Sequence, residues 1–452
     1  MNAPTTARVH APPPPGPGFW QSLAGYRRNP ATYFTALARR YGDVLRWRGP
    51  MDIYLLNDPD DVRRVMTQAW PQFTKDNIDY RVLRLTMGNG LVTSDGLDWA
   101  RQRRLMQPMF HNRIVNAFDA AINACTETLV ARWRARGADE AFALDRELSR
   151  LTFQVVGATL FGADIDAHAD QVAAMLEVMN VNPKTIRALL TQWPWIPTSG
   201  NRRFVRHLAL LDRIVYGLVE RRRASGETRG DLLGLLLAAR DANTGEAMAE
   251  TQIRDEVVTL MLAGHETSAT ALGWTFHLLA QHPEIEATLV EELRRELGGR
   301  PAQAADLARL PFLKQVVQES MRVFPPVWGI SRALAEDCEF GGYRVPRGAY
   351  VAILPYALHR HPAHWSDPER FDPSRFSPKR SESRHSYCYL PFAAGPRTCI
   401  GAGMAMLEIQ LVLARLLPLF RVRPVPGHPV VPLASVTYRP RYGIRATVVP
   451  RA

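Results

Sequence analysis

The sequence predicts a mainly α-helical fold with a smaller β-rich part. Apolar residues recur at helical spacing over long stretches from about Asp60 to Leu310, broken only by short loops. Beyond Glu319 the pattern shortens into alternating runs separated by Gly and Pro turns. A chain of 452 residues, 46% apolar and 22% charged, can bury a large core and enclose a pocket. That composition excludes a disordered tail, a collagen-like repeat and a small disulfide scaffold. Length alone allows roughly three domains, but one large catalytic fold over residues 19–452 is the expectation.

Residues 1–18 form a proline-rich lead-in, with Pro12 to Pro15 and Pro17, expected to be extended or disordered. They contain no apolar core of signal-peptide type. The first β-rich part, about 40–60, reads as a hairpin: Val44, Leu45 and Trp47, a turn at Gly49-Pro50, then Ile53 to Leu56. Gly90 to Gly96 reads as a loop, and so does Thr191 to Gly200, whose Trp193-Pro194-Trp195-Ile196-Pro197 is unusually apolar. A long helix starts near Thr251. The second β-rich part, 330–355, contains strands at Phe340 to Val345 and Ala349 to Leu354, with turns at Gly341-Gly342 and Pro346-Arg347-Gly348. Residues 359–398 are irregular and rich in Pro and Arg. A helix follows from about Gly401 to Leu417, stopped by Pro418, and the tail, 420–450, alternates like short strands. No run of about twenty apolar residues occurs, so no membrane-spanning helix is expected and a cytoplasmic, soluble protein is the default.

Lys plus Arg number 56 against 44 Asp plus Glu, a formal charge of +12. No zinc-finger, zipper or RNA-platform motif accompanies that excess, and an acidic protein partner fits it at least as well as nucleic acid. The four cysteines, Cys125, Cys338, Cys388 and Cys399, form no C-x-x-C pair. A zinc ribbon, a redox dithiol and a covalently attached haem therefore lack their signatures.

Cys399 has the most informative surroundings: Phe392-Ala393-Ala394-Gly395-Pro396-Arg397-Thr398-Cys399-Ile400-Gly401. It ends a loop and precedes a helix, where backbone amides and the helix dipole are expected to lower a thiol's pKa. Gly395 permits a turn closed to other residues, and Gly401 permits a flat ligand to approach the backbone. Arg397 offers a cation beside the sulfur or toward a ligand carboxylate. A lone cysteine after a loop is otherwise a buried structural residue. The pattern Phe-x-x-Gly-x-Arg-x-Cys-x-Gly, however, should match a chain of this length by accident with odds on the order of one in ten thousand.

With that pattern the sequence resembles the cytochrome P450 family along nearly its whole length. The resemblance implies a P450 fold and a non-covalent haem b (iron protoporphyrin IX) with Cys399 as the axial thiolate. A thiolate ligand pushes electron density to iron and favours O–O cleavage. Phe392 and Gly401 match family positions packed close to the haem. Glu319-Ser320-Met321-Arg322 puts opposite charges three apart on one helix face, which alone reads as a surface ion pair. In the family the same spacing forms a buried structural network joined by a downstream arginine. Arg370 and Arg375 compete for that place, and the spacing after Phe371 favours Arg375. Ala263-Gly264-His265-Glu266-Thr267-Ser268, inside the long helix, resembles the oxygen-binding turn, where the helix opens. Thr267 would donate a hydrogen bond to bound dioxygen and Glu266 would relay protons from solvent, whereas His265 occupies a variable position with no assigned chemistry. Trp99 and Arg103 match the W-x-x-x-R pair that binds a haem propionate, with Arg332 and Arg397 as further propionate partners. Arg101 and Arg104 are expected to be exposed.

By family position the substrate wall comprises residues 78–91, Ala263, Gly264, Val327, Trp328, Ile330 and Val436, with Trp193 to Pro197 near the entrance. The implied activity is a haem-thiolate monooxygenase acting on a lipophilic small molecule such as a fatty acid or terpenoid, with O2 as co-substrate. No Rossmann or flavin motif is present, so electrons come from a separate ferredoxin or flavodoxin with its NAD(P)H reductase. A peroxygenase or isomerase, or a haem sensor that never turns over, is the alternative. Two other features compete for attention. His359, His361 and His364 have the spacing of a metal cluster, and Gly401-Ala402-Gly403 resembles the start of a dinucleotide fingerprint, without its third glycine.

Overall fold

Capping chemistry sets where the helices begin and end. Asn29 accepts the Ala31 N–H ahead of the helix Pro30–Tyr41, and Asp95 does so for Gly96 ahead of Gly96–Met106. Thr198 caps Ser199–Ser225 through the Asn201 amide. Pro283 and Pro311 open the helices Pro283–Leu297 and Pro311–Val323, at the turn where a missing N–H costs nothing. The computed structural model describes residues 11–26, 29–67, 72–137, 139–162, 168, 196, 198–227, 231–240 and 245–451. Most of the apolar segment Trp193 to Pro197 lies outside them. The chain divides into two compact units: a helical one of residues 78–327, 369–383 and 398 onward, and a sheet-rich one of residues up to 77, 328–368 and 384–397.

The helical unit is organised round the helix Glu250–Gln281, which packs against Leu144–Leu160, Pro311–Val323 and Ala402–Leu419. Trp274 on this helix is fully buried, stacks on Phe324 at 4.1 Å, and donates its indole N–H to the Tyr438 carbonyl at 2.7 Å. The last helix runs to Leu419, past the expected stop at Pro418. Its final turn has no following carbonyl ladder to lose, so a proline there removes only one bond. By length and composition this helix is apolar enough to cross a membrane, the only such helix among the described residues, but 61% of it is buried inside the protein, as in a core helix. The unit's β structure is an antiparallel sheet ordered Phe142–Ala143, Arg445–Pro450, Phe420–Pro424 and a pair Pro432–Ala434 with Tyr438–Pro440.

The sheet-rich unit contains five strands ordered Val44–Arg48, Asp52–Leu56, Tyr350–Ile353, Ile330–Leu334, Phe73–Thr74. Only the second and third strands in that order run parallel; the other neighbours are antiparallel. Leu56, Phe73, Phe340, Val351 and Ile353 form its core. Cys338–Phe340 and Tyr343–Val345 make a separate hairpin round the turn expected at Gly341-Gly342, with its first strand starting at Cys338. The described part of the lead-in has no regular secondary structure but is held. The Pro15 carbonyl accepts the Arg46 N–H at 2.8 Å and the Pro12 carbonyl accepts the Arg344 N–H at 3.0 Å. Proline lacks a donor but keeps its acceptor, so such a segment can still dock along strands.

Candidate active site

The loop before Cys399 is built by backbone constraints that only certain residues meet. Gly395 has φ +69°, and a Cβ there would stand 2.2 Å from the Met66 carbonyl oxygen, so this position tolerates no side chain. Gly401 differs: a Cβ would meet only Phe110, at 4.0 Å, and its φ is an ordinary −88°. Packing of the protein itself does not explain a glycine at 401, whereas close approach of a flat ligand to the backbone would. Among the described cysteines, Cys338 and Cys388 are buried and Cys125 is half-buried, while Cys399 is exposed. Burial pushes the Cys388 thiol up to about 12, out of reach of ionisation near neutrality.

Cys399 is accessible to solvent, yet protein packed around it still desolvates the thiol. Burial raises its pKa; the Gly401 backbone N–H and the Arg103 charge pull the other way without prevailing. The expected lowering by the helix terminus is thus corrected: desolvation outweighs one amide and one guanidinium. A bound metal ion would reverse the balance, because a coordinating thiol loses its proton outright. Arg103 also donates to the Thr398 carbonyl at 2.8 Å, which ties the Gly96–Met106 helix to the residue preceding the cysteine. Trp99 is buried on the same helix. Arg332 and Arg397 belong to the sheet-rich unit; Arg332 is buried and donates to the Ser331 carbonyl at 2.7 Å, and Arg397 and Phe392 are half-buried. An accessible thiol, an amide aimed at it and a nearby cation, with a glycine that packing does not require, make a donor set that fits a thiolate-ligated haem.

In the long helix the structure departs from the expected opening. Helical structure is continuous from Glu250 to Gln281, and the Thr267 hydroxyl donates to the Ala263 carbonyl at 2.7 Å. A threonine hydroxyl competing for the i−4 carbonyl perturbs a helix without breaking it. Glu266 accepts the Thr437 hydroxyl at 2.8 Å, and the Tyr438 N–H donates to the Pro326 carbonyl at 2.9 Å. These bonds bring the helix turn, the tail beside Val436 and the segment before Val327 together in the helical unit. Val327 is 38% exposed and Val436 is half-buried. Trp328 and Ile330, both half-buried, lie in the sheet-rich unit. Gly264 is accounted for by helix packing, since a Cβ there would meet Val156 at 3.3 Å.

Glu319 and Arg322 are fully buried and bonded twice, at 2.7 and 2.8 Å. Arg375 approaches Glu319 at 3.3 Å, the Asp372 N–H donates to Glu319 at 2.9 Å, and Arg370 contributes its carbonyl to Arg322 at 3.0 Å. The guanidinium in the network is therefore that of Arg375.

Several residues escaped the sequence reading. Thr437 is one, because its partner Glu266 is 171 positions away. His265 is another: it is buried, with Nε2 2.8 Å from the Ser149 hydroxyl, and burial lowers its pKa to about 4. Glu408 is fully buried beside Ser268 with its pKa raised to about 8, so it is protonated near neutrality. Arg101, expected on the surface, is half-buried in the wall of a polar cavity. The described residues contain no group of three or more metal-binding side chains. His359 accepts the Leu390 N–H at 2.8 Å and His361 pairs with Asp43 at 2.8 Å, so neither ring is aimed at a shared centre.

Comparison with known proteins bears on the family. The pattern describing Cytochrome P450 matches residues 11–440. Cyclooctatin synthase from Streptomyces melanosporofaciens is 36% identical over 91% of this chain and 90% of its own length. Pentalenene oxygenase from Streptomyces avermitilis is 34% identical over 93% and 92%. The crystal structure of the cytochrome P450DA heme domain superposes with a TM-score of 0.86, at 27% identity, over 98% of this chain and 99% of that one. The chain is a member of the cytochrome P450 family and, with it, a haem-dependent monooxygenase.

Proposed function

We propose that this monooxygenase holds haem b through Cys399 and oxidises a terpenoid or similarly lipophilic small molecule at a C–H or C=C bond. The accessible Cys399 sulfur, faced by the Gly401 amide, carries the reading. When bound, the haem supplies the iron at which dioxygen and electrons meet. One oxygen atom enters the substrate and the other leaves as water, with two electrons drawn from NAD(P)H. On the sequence pattern, Trp99, Arg103, Arg332 and Arg397 orient the two propionates, while Phe392 and Gly401 lie against the ring.

The chain's own residues manage protons and substrate. Thr267 must release the Ala263 carbonyl for its hydroxyl to serve as a donor to dioxygen, a rotation about one bond. Glu266 takes protons in from solvent, with Thr437 holding its carboxylate in place. By family position the apolar Ala263, Val327, Trp328, Ile330 and Val436 meet the substrate, which favours a hydrocarbon-like one. Similarity to the cyclooctatin synthase and the pentalenene oxygenase supports a cyclic terpenoid over a fatty acid. Electrons arrive from a ferredoxin or flavodoxin, steered by the excess positive charge.

Titration with cyclic terpenes and with fatty acids tests the substrate class. A high-spin spectral shift at micromolar terpene, with fatty acids weaker, is expected; the reverse order overturns the terpenoid assignment. Reduction by a surrogate ferredoxin should slow as salt rises, and a salt-independent rate would contradict electrostatic docking.

A further inference from the structure

The first turns of the long helix carry Arg254, Asp255 and Glu256 in succession, and all three reach the same stretch of chain. The Arg254 guanidinium donates to the Thr86 carbonyl at 2.8 Å, Asp255 accepts the Asn89 N–H at 2.8 Å, and Glu256 accepts the Leu91 N–H at 3.0 Å. Two carboxylates thus capture alternate amides of one loop. The loop's glycines are fitted to that contact. Gly88 has φ +56°, and a Cβ on it would lie 2.1 Å from the Asp255 carboxylate; a Cβ on Gly90 would lie 2.2 Å from the Thr259 hydroxyl. The loop's outer side is fastened as well, the Gln102 amide donating to the Asn89 carbonyl at 2.7 Å.

The two carboxylates are not equivalent. Asp255 lines a polar cavity of about 240 Å³, together with Asn89, Asp98, Arg101, Gln102 and Gln252, so water can compete for its bond. Glu256 is fully buried, as is Leu91 beside it. Loss of this bond strands a buried amide with no water at hand to replace its acceptor.

We propose that Glu256, assisted by Asp255, is a positioning residue that clamps residues 88–91 to the long helix and so sets the room available to substrate. The proposal rests on the reading that residues 78–91 face the substrate. The experiment uses the haem-loaded full chain as wild type, Glu256→Ala and Glu256→Gln, the last keeping a carbonyl acceptor. Amide hydrogen exchange over residues 88–95 should quicken at least tenfold in Glu256→Ala and stay near wild type in Glu256→Gln. Exchange in the helix Asp119–Arg134 should be unchanged, as a control for global loosening. The spectral dissociation constant of 4-phenylimidazole should shift at least fivefold in Glu256→Ala and that of imidazole less than twofold. Unchanged exchange in the loop overturns the clamp. Faster exchange with equal effects on both azoles overturns the link to substrate space. Absence of any azole-induced spectral change would fault the haem reading instead, leaving the exchange result to judge the clamp. If Glu256→Ala does not fold, Gly90→Ala, which must push the loop off Thr259, replaces it under the same criteria.

Discussion

Two regions of the helical unit carry recognisable motifs, and they differ in what their polar atoms have left to do. In the Glu319 network the carboxylate receives Arg322, Arg375 and the Asp372 amide, and both members of the central pair are shut off from solvent. Charge meets charge at close range inside the protein, which is the signature of a structural element. At Cys399 the sulfur is accessible, has one amide and one nearby cation, and is held away from the thiolate form by burial. Its bonding capacity is unspent until a cation arrives. A motif whose partners satisfy one another holds the fold; a motif that leaves a ligand atom accessible and uncommitted binds something.

Substitutions can break or sharpen this contrast. The largest effect belongs to Glu319→Ala, which strands two buried guanidinium groups; denaturant unfolding should show a loss of about 3–5 kcal/mol. A change below about 1 kcal/mol would mean the network is not the latch described. Next comes Glu408→Gln. A carboxyl whose pKa is raised on folding, from 4.5 to about 8, binds more protons folded than unfolded, so its contribution to stability declines as pH rises between those values. Glu408→Gln should therefore gain on wild type by a few kcal/mol at most as pH goes from 5 to 8, read from paired unfolding curves. A flat difference would show that Glu408 is ionised in the folded state. Smaller again is Gly395→Ala, where the left-handed backbone alone costs roughly 1–3 kcal/mol before Met66 must move. The smallest is Gly401→Ala, within about 0.5 kcal/mol in haem-free protein, yet expected to weaken haem retention. If Gly401→Ala destabilised the haem-free chain as much as Gly395→Ala, the glycine would belong to the fold and not to the ligand.

The parts legible in the sequence were those written locally. Glu319 and Arg322 sit three apart on one helix and the Phe392–Gly401 stretch encodes its own turn, so the pair and the loop could be read locally, whereas the burial of the pair came only with the family resemblance. The hairpin at 44–56 and the long helix were equally clear from period and turn residues. What could not be read was partner identity across the chain. Thr437 and Glu266, Ser149 and His265, and Leu91 and Glu256 are pairs separated by more than a hundred positions. The thiol at Cys399 shows the same limit in electrostatic form. The helix terminus that favours thiolate is local and visible, whereas the burial that outweighs it comes from distant packing. Pro418 misled for a related reason, since a proline is a stop only where the helix has further turns to lose.

Sulfur-to-iron ligation by Cys399 is best tested by the absorption spectrum of the reduced carbon monoxide adduct, recorded for the wild type and for Cys399→His under one set of conditions. A thiolate-type Soret band in the wild type that becomes imidazole-type in Cys399→His is the predicted result. An imidazole-type band in the wild type, or a thiolate-type band that survives the substitution, would contradict it.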